Sequence, residues 1–223
     1  DKTPFLPLLE SAESGYRHLL FLRPRRFGKS TLLSMLEHYY DLGREEQLDK
    51  LFEGLWVHEH PTPERSRYLV LPFDFSQIVA DSGRDELREA FAEAVKSSIR
   101  PFIMRYADRI PELHRLDALL DGYRDGATAI GALLGIITGT EHMLYVLIDE
   151  YDNFANRLLS VDEQDLYESV VRDTGFVRSF YAALKAGTRS GAVARMFITG
   201  VSPILLDDLS SGFNIVTNIS QHP

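Results

Sequence analysis

The sequence predicts an α/β protein with a mostly parallel sheet of about five strands and helices on both faces. Two observations carry this prediction. Short apolar runs alternate along the chain with longer segments whose apolar residues recur at helical spacing. A length of 223 residues also suits one large domain, spanning residues 1–223, better than two complete ones.

The strands are predicted from apolar runs that are rich in β-branched and aromatic residues. They cover residues 19–22, 68–75, 145–149, 196–199 and 214–219. Pro72 lies inside the second run, and proline cannot donate a hydrogen bond to a neighbouring strand. We therefore expect this strand at the edge of the sheet or at a bulge.

The helices are predicted from apolar stripes and from residues that favour helix ends. The first begins near Ser30, and a short one lies within residues 43–66. The next is capped by Asp81 or Ser82 and has an apolar stripe from Leu87 to Phe102, and another lies around residues 130–137.

A loop through Asn153 and Asn156 is predicted after the third strand. Ser160 and Glu163 have the spacing of a capping box, in which a serine hydroxyl and a glutamate three residues later satisfy backbone N–H groups. We expect one long helix to begin there, with an apolar face that runs to Leu184.

The segment between the first strand and the next helix is the most informative part of the chain. Residues 23–30 read Arg-Pro-Arg-Arg-Phe-Gly-Lys-Ser, and a loop of this kind turns backbone N–H groups toward nucleotide phosphates. Gly28 lets the backbone approach a phosphate, Lys29 can reach the β- and γ-phosphates, and Ser30 can offer its hydroxyl to Mg²⁺. The usual pattern has glycine where this chain has Arg23, so the front of the loop takes another shape. The expected nucleotide-binding residues are Arg25, Arg26, Phe27, Gly28, Lys29, Ser30 and Thr31.

Two carboxylates follow the third strand. Asp149 and Glu150 come directly after four apolar residues, and the carboxyl ends of parallel strands form the crevice where open α/β sheets bind ligands. We assign Asp149, with Ser30, to Mg²⁺, and Glu150 to activating the water that attacks the γ-phosphate. A strand followed by an acidic turn is common without any ligand, but the Gly-Lys-Ser loop earlier in the chain favours the functional interpretation.

Thr199 ends the fourth strand. A hydroxyl at this point could touch the γ-phosphate or the attacking water and so report whether ATP is intact. A threonine that closes a strand before a glycine turn explains the same spacing equally well. Thr199 is therefore a candidate catalytic residue beside Lys29 and Glu150.

Composition argues against several other classes of protein. The chain has 24 basic and 33 acidic residues, and its net charge of −9 disfavours attraction to nucleic acid, so no direct nucleic-acid binding is predicted. Cysteine is absent, which excludes disulfides and thiolate metal sites and is compatible with a reducing cytoplasm. Because no apolar run approaches the length of a membrane span, we expect a cytoplasmic protein without membrane contact.

Four strings of residues together resemble one known family. They are residues 23–30 above, Leu-Pro-Phe-Asp-Phe-Ser at 71–76, Leu-Ile-Asp-Glu-Tyr-Asp at 147–152 and Ile-Thr-Gly-Val-Ser at 198–202. In this combination the chain resembles the bacterial AAA-ATPase-like family, whose members are often fused to a C-terminal PD-(D/E)XK-type nuclease domain. The likeness runs from Asp1 to Ile215, and within it the missing first glycine of the loop is usual.

The resemblance implies a P-loop NTPase fold of the additional-strand type, with ATP and Mg²⁺ as cofactors. It also implies a fused or partner nuclease domain, but these residues carry no nuclease signature, so no DNA cleavage is predicted. The chain begins at Asp1 rather than methionine and stops at Pro223 after an apolar stretch, which suggests a fragment of a longer protein.

The leading functional hypothesis is an ATPase in which water attacks the γ-phosphate. A second hypothesis is a nucleotide-gated interaction or regulatory module for a fused or partner nuclease, with little or no turnover. A third is a small-molecule kinase, for which the sequence offers no lid or acceptor-binding motif. ATP and GTP both fit the loop.

Two smaller groups of polar residues also have simple structural explanations. His58 and His60 lack a third ligand nearby, so no metal is expected there. Asp74 either supports Mg²⁺ indirectly or caps a turn, and Asp152 either supports the acidic corner or caps a loop.

Many NTPases neutralise transition-state charge with an arginine. Arg26, Arg189 and Arg195 are candidates for this role, although ordinary exposure to solvent explains each of them more simply.

Overall fold

The computed structural model describes residues 1–11, 17–78, 83–160, 163–171, 175–209 and 213–221. Its strands are β1 His18–Leu22, β2 Leu69–Asp74, β3 Leu144–Asp149, β4 Val193–Gly200 and β5 Thr217–Asn218. They form one five-stranded sheet in the order β2-β3-β4-β1-β5, and every pairing is parallel. The α/β fold with a parallel sheet is confirmed. β4 lies between β1 and β3, which is the arrangement of the additional-strand type.

The helices of the described residues are, in chain order, α1 Leu6–Glu10, α2 Lys29–Tyr40, α3 Leu48–Leu51, α4 Trp56–Glu59, α5 Arg84–Tyr106, α6 Glu112–Leu120, α7 Gly126–Thr138, α8 Asn153–Ser160, α9 Gln164–Val171, α10 Phe176–Ser190 and α11 Ile204–Leu209. The described residues also form two 3₁₀ helices. Thr3–Phe5 directly precedes α1, and Leu42–Gln47 lies between α2 and α3.

The sheet is covered on both faces because successive residues of its strands point to opposite sides. On one face, side chains such as Phe73 and Ile148 belong to a large buried cluster that includes residues of α5, α7 and α10. On the other face, Val70 and Leu147 belong to a second cluster, which includes α2. The phosphate-loop helix and the long helices therefore lie on opposite faces.

Strand β2 is an edge strand, as Pro72 predicted. The backbone N–H of Val70 does not pair with another strand but donates to the Tyr106 hydroxyl at 3.0 Å. That hydroxyl in turn donates to Asp41 Oδ1 at 2.6 Å. The C-terminal end of α5 is thus fastened to the sheet edge.

The prediction of a loop through Asn153 and Asn156 is wrong, because this segment is the helix α8. Phe154, Ala155 and Leu158 of α8 are buried, and their spacing places them on one side of a helix. Burial of this apolar side outweighs the weak helix propensity of asparagine.

The single long helix predicted from residue 160 is also wrong. α9 ends at Val171 and α10 begins at Phe176, and Gly175 between them has an extended ψ of 139°. Ser160 belongs to α8, where its hydroxyl donates to the Arg157 carbonyl at 2.7 Å. The residues 161–162 of the expected capping box lie outside the described residues, as do Asp81 and Ser82, the expected cap of α5.

One short helix was predicted within residues 43–66, where the structure has part of a 3₁₀ helix followed by α3 and α4. Helix α6 was not predicted, although Leu113, Leu116 and Leu120 are buried at helical spacing. Among the described residues no helix combines the length and apolarity needed to cross a membrane.

Candidate functional site

The candidate site lies where the carboxyl ends of β1, β3 and β4 meet the beginning of α2. The register pairs Leu22 with Gly200 across β1 and β4, and Asp74 with Asp149 across β2 and β3. Residues that follow these strands are thereby brought to one end of the sheet. The phosphate loop and the acidic pair of the sequence prediction both lie at this end.

The phosphate loop leads into α2 through a left-handed turn. Gly28 precedes the helix with φ of 76°, and Arg26 has φ of 69°. The first intrahelical bond runs from the Leu32 N–H to the Gly28 carbonyl at 3.0 Å. No side chain caps the helix start, and no acidic residue lies in its first turn. The exposed N–H groups and positive end of α2 therefore suit an anion.

Arg23, which replaces the usual glycine, closes the front of the loop. Its backbone N–H donates to the Gly200 carbonyl at 3.1 Å. Its guanidinium donates to the carbonyls of Leu22 and Ser220 and lies 4.7 Å from the centre of the Phe21 ring. These contacts therefore hold the Arg23 side chain on the side of the loop that faces β5.

Lys29 lies inside the loop and is only 5% exposed. Its Nζ donates to the carbonyls of Arg23 at 3.1 Å and Pro24 at 3.4 Å. It also forms an ion pair with Glu150 Oε1 at 3.3 Å. The lysine of the loop and the glutamate of the distant strand end are thus in direct contact.

Ser30 and Asp149 also meet. The Ser30 hydroxyl donates to Asp149 Oδ2 at 2.7 Å. Oδ1 of the same carboxylate accepts from the Thr199 hydroxyl at 2.5 Å and from the Glu150 N–H at 3.0 Å. A hydroxyl and a carboxylate at one point are hard oxygen donors that fit Mg²⁺, which binds through few protein ligands together with phosphates and water. No cluster of three histidine, aspartate or glutamate side chains able to hold a metal occurs among the described residues.

Thr199 is fully buried, and its hydroxyl is directed to Asp149. This contact orients the carboxylate that Ser30 touches. Thr199 was predicted from its place at a strand end. Its partner Asp149 could not be predicted, since that contact depends on the register of β3 and β4. Its sensing of the γ-phosphate stays a prediction.

Glu150 has φ of 51°, a left-handed conformation that residues other than glycine rarely adopt. Its side chain is 19% exposed, so part of the carboxylate reaches solvent. Left-handed backbone at a candidate functional residue is a recurring sign of a constrained site.

Asp152 holds the turn that carries Asp149 and Glu150 in place. It is completely buried and accepts from the backbone N–H groups of Val201 and Ser202, at 3.0 and 2.6 Å, and from the Asn156 side chain at 2.8 Å. Of the two roles left open by the sequence, support of the acidic corner agrees with these contacts. The turn after β3 and the turn after β4 are thereby tied together.

The other loop residues predicted to bind nucleotide are exposed: Arg25, Arg26, Phe27 and Thr31. Asp74 Oδ1 accepts from the Ser76 N–H at 2.8 Å, which is the turn-capping role. His60 stacks on Trp56 and its Nδ1 contacts the Trp56 carbonyl.

Arg195 is not a solvent-exposed arginine, so that expectation is wrong. It is 8% exposed and pairs with Tyr145, the second residue of β3, in the sheet register, far from the carboxyl end of that strand. Its guanidinium contacts both oxygens of Glu64 at 2.5 and 2.8 Å. Burial opposes the charge, but hydrogen bonds to Glu64 and Tyr68 outweigh it and raise the pKa of Arg195. Arg189 is exposed in the last turn of α10, ahead of β4.

A cavity of about 320 Å³ opens beside Ser30 and Asp149. Its lining extends along α2 to Glu37 and includes Arg105 of α5, which pairs with Glu37 at 3.3 Å. No local pattern predicts this cavity, because α5 reaches it only by packing across the edge strand.

A family model described as predicted AAA-ATPase matches residues 1–210. The chain belongs to the AAA-ATPase-like family. Neither a curated protein nor a solved structure matches the chain. For a member of the AAA-ATPase-like family, the description supports nucleotide binding, and the matched residues contain both the phosphate loop and the Asp149–Glu150 pair.

Proposed function

We propose that this protein binds ATP with Mg²⁺ and hydrolyses it. The observation that carries the proposal is the meeting of two groups far apart in sequence, Lys29 with Glu150 and Ser30 with Asp149. The proposed binding residues are the loop and first helical turn, from Arg25 to Thr31. Membership in the AAA-ATPase-like family supports the nucleotide as ligand.

Each residue then has a distinct role. Mg²⁺, when bound, would neutralise charge on the phosphates as the terminal group is transferred. Ser30 and Asp149 would hold this ion, and Thr199 would keep the Asp149 carboxylate oriented. The N–H groups at the start of α2 would bind phosphate oxygens.

Lys29 and Glu150 would act one after the other. In the structure the Lys29 ammonium is paired with the Glu150 carboxylate. A polyphosphate would compete for that ammonium, and the Glu150 carboxylate, once released, would accept a proton from the attacking water. Hydrolysis would thereby depend on correct placement of the phosphates.

The binding step is tested by calorimetric titration with ATP and with GTP in the presence of Mg²⁺. Lys29→Ala removes a charged phosphate contact and is expected to weaken ATP binding by about 10- to 100-fold. Lys50→Ala, which removes an exposed lysine of α3, is the control. Equal affinity of the Lys29→Ala variant and the wild type would contradict the proposed site.

The hydrolytic step is tested by phosphate release from the wild type and Glu150→Gln. The amide cannot accept the proton, so we expect release to fall about 100-fold or more while ATP remains bound. Background release from both proteins, despite bound ATP, would defeat hydrolysis and favour the nucleotide-gated module for a fused or partner nuclease.

A second candidate function follows from the cavity beside Ser30 and Asp149. Its volume of about 320 Å³ is sufficient for a small organic ligand. A molecule bound there could accept the γ-phosphate in place of water. Phosphorus NMR of reactions with candidate hydroxyl compounds would separate the two: a phosphorylated product indicates a kinase, whereas inorganic phosphate alone indicates hydrolysis.

A further inference from the structure

Lys2 lies beside the phosphate loop although the two are separated by the whole of β1. A side-chain Cβ on Gly28 would stand 3.1 Å from Lys2 Nζ. The ammonium thus occupies the space next to the last residue before α2. Nothing in the residues next to Lys2 in sequence indicates a ligand.

The backbone on either side of Lys2 is held in place. The Asp1 carboxylate accepts from the Thr3 N–H at 2.9 Å and from the Trp56 N–H at 2.8 Å. Thr3 is buried, and its hydroxyl accepts from the Val57 N–H at 3.1 Å. These contacts fasten the segment to α4, so the base of the Lys2 side chain has a defined position relative to the loop.

No acidic side chain of the described residues neutralises the charge of Lys2. Within the described part of the chain, Lys2 forms no ion pair with an acidic side chain. By contrast, Lys29 is engaged by Glu150, and Arg23 is engaged by the Ser220 carbonyl. A protein with a net charge of −9 therefore presents an unpaired ammonium at the loop that best suits an anion.

We propose that Lys2 is a second phosphate-binding cation, whose Nζ donates to a phosphate oxygen of a bound nucleoside triphosphate from the Gly28 side of the loop. This inference rests on the proposed nucleotide binding. Lys29 contacts the phosphates from within the loop, and Lys2 contacts them from the N-terminal segment. The ligand class is the polyphosphate, so the contact does not select the base.

Calorimetric titration with ATP, and with tripolyphosphate as a ligand without base or sugar, tests this role. Lys2→Ala is expected to weaken binding of both about tenfold, and Lys2→Arg to retain most of the affinity. Because Lys2 is exposed, the loss is expected to shrink as ionic strength rises. Lys50→Ala, with the same change of net charge, controls for long-range effects.

Thermal unfolding of each variant separates loss of contact from loss of fold. Wild-type affinity of a folded Lys2→Ala variant, when Lys29→Ala has lost binding, would overturn this inference and leave the proposed function standing. An equal loss in Lys50→Ala would also overturn it, since the effect would then be one of net charge. Absence of ATP binding to the wild type would overturn both proposals.

Discussion

Glu150 and Arg26 of the candidate site have left-handed backbone, with φ of 51° and 69°. Each conformation costs free energy of about 1–3 kcal/mol in a residue that is not glycine, and it persists only where surrounding contacts impose it. For Glu150 the imposing contact includes its own N–H bond to Asp149. Both residues lie at the candidate site, and their constrained backbone agrees with the proposed binding role of the loop and the acidic turn.

Thr199→Val tests the positioning role of the Thr199 hydroxyl. Valine keeps the shape but removes the donor to Asp149, so we expect phosphate release to fall about 10- to 100-fold. ATP binding without Mg²⁺ is expected to be unchanged, because Thr199 touches Asp149 rather than the loop. Thr199→Ser keeps the hydroxyl and serves as the matched control; turnover by the valine variant at the wild-type rate would contradict the role.

At the scale of residues, sequence patterns predicted those candidate site residues that are adjacent to one another in the chain. Gly28, Lys29 and Ser30 are adjacent in sequence, as are Asp149 and Glu150, so their chemistry could be read from spacing. The contact of Thr199 with Asp149 depends on strand register. The place of Lys2 depends on how the N-terminal segment packs on α4. Neither has a signature within its own segment.

At the scale of elements, the end of β4 contacts two parts of the candidate site. The Gly200 carbonyl accepts from the Arg23 N–H at the front of the phosphate loop. On its other side Gly200 lies against Tyr151 and Asp152, which follow Glu150. Gly200 therefore contacts both the phosphate loop and the acidic turn.

Gly200→Ala is expected to disturb this junction. The added Cβ would stand 2.5 Å from Asp152 Oδ1 and would also meet the Tyr151 ring. We expect the free energy of unfolding to fall by about 1–3 kcal/mol, measured by urea denaturation.

Gly131→Ala is the matched control for this change. Gly131 lies in the interior of α7, and nothing lies within 4 Å of an added Cβ. Because alanine favours a helix over glycine, this variant is expected to gain about 0.5–1 kcal/mol. A Gly200→Ala variant as stable as the wild type would mean that Tyr151 and Asp152 can move away freely.

The elements that could be predicted were those with an apolar stripe and a clear boundary. β3 and the stripe of α5 are of this kind. α8 was missed because its two asparagines favour turns, and burial of Phe154 and Leu158 against other elements decided otherwise. The break between α9 and α10 was missed because both helices continue the same apolar spacing.

At the scale of the whole molecule, the order of the strands is a property that no single segment encodes. Alternating strands and helices predicted a parallel sheet, but the position of β4 between β1 and β3 was implied only by the family resemblance. Strand order follows from which faces and edges the helices cover, and that depends on all of them at once.

A pH-dependent stability is expected from His18 at the start of β1. Burial and the nearby charges of Arg17 and Arg195 lower the pKa of His18 from 6.5 to about 4. Its Nδ1 is buried without a hydrogen-bond partner among the described residues. Between pH 6.5 and 4 the unfolded chain therefore binds more protons at this residue than the folded chain, so stability falls as the pH falls.

His18→Asn is expected to remove this contribution. Denaturation series across that range should show a smaller loss of unfolding free energy in the variant than in the wild type. His114→Asn, which changes an exposed histidine of α6, should retain the wild-type slope. A His18→Asn variant with the wild-type slope would assign the pH dependence to other groups.

The fastening of the β2 edge has a consequence for self-association. A free sheet edge can recruit a strand from another molecule, and such recruitment is a common route to aggregates. Here the outward N–H of Val70 is consumed by Tyr106, and Pro72, two residues further along, has none to give. At residues 70–72 this border therefore has no free N–H group to pair with an added strand, and a contact between copies there would rely on side chains.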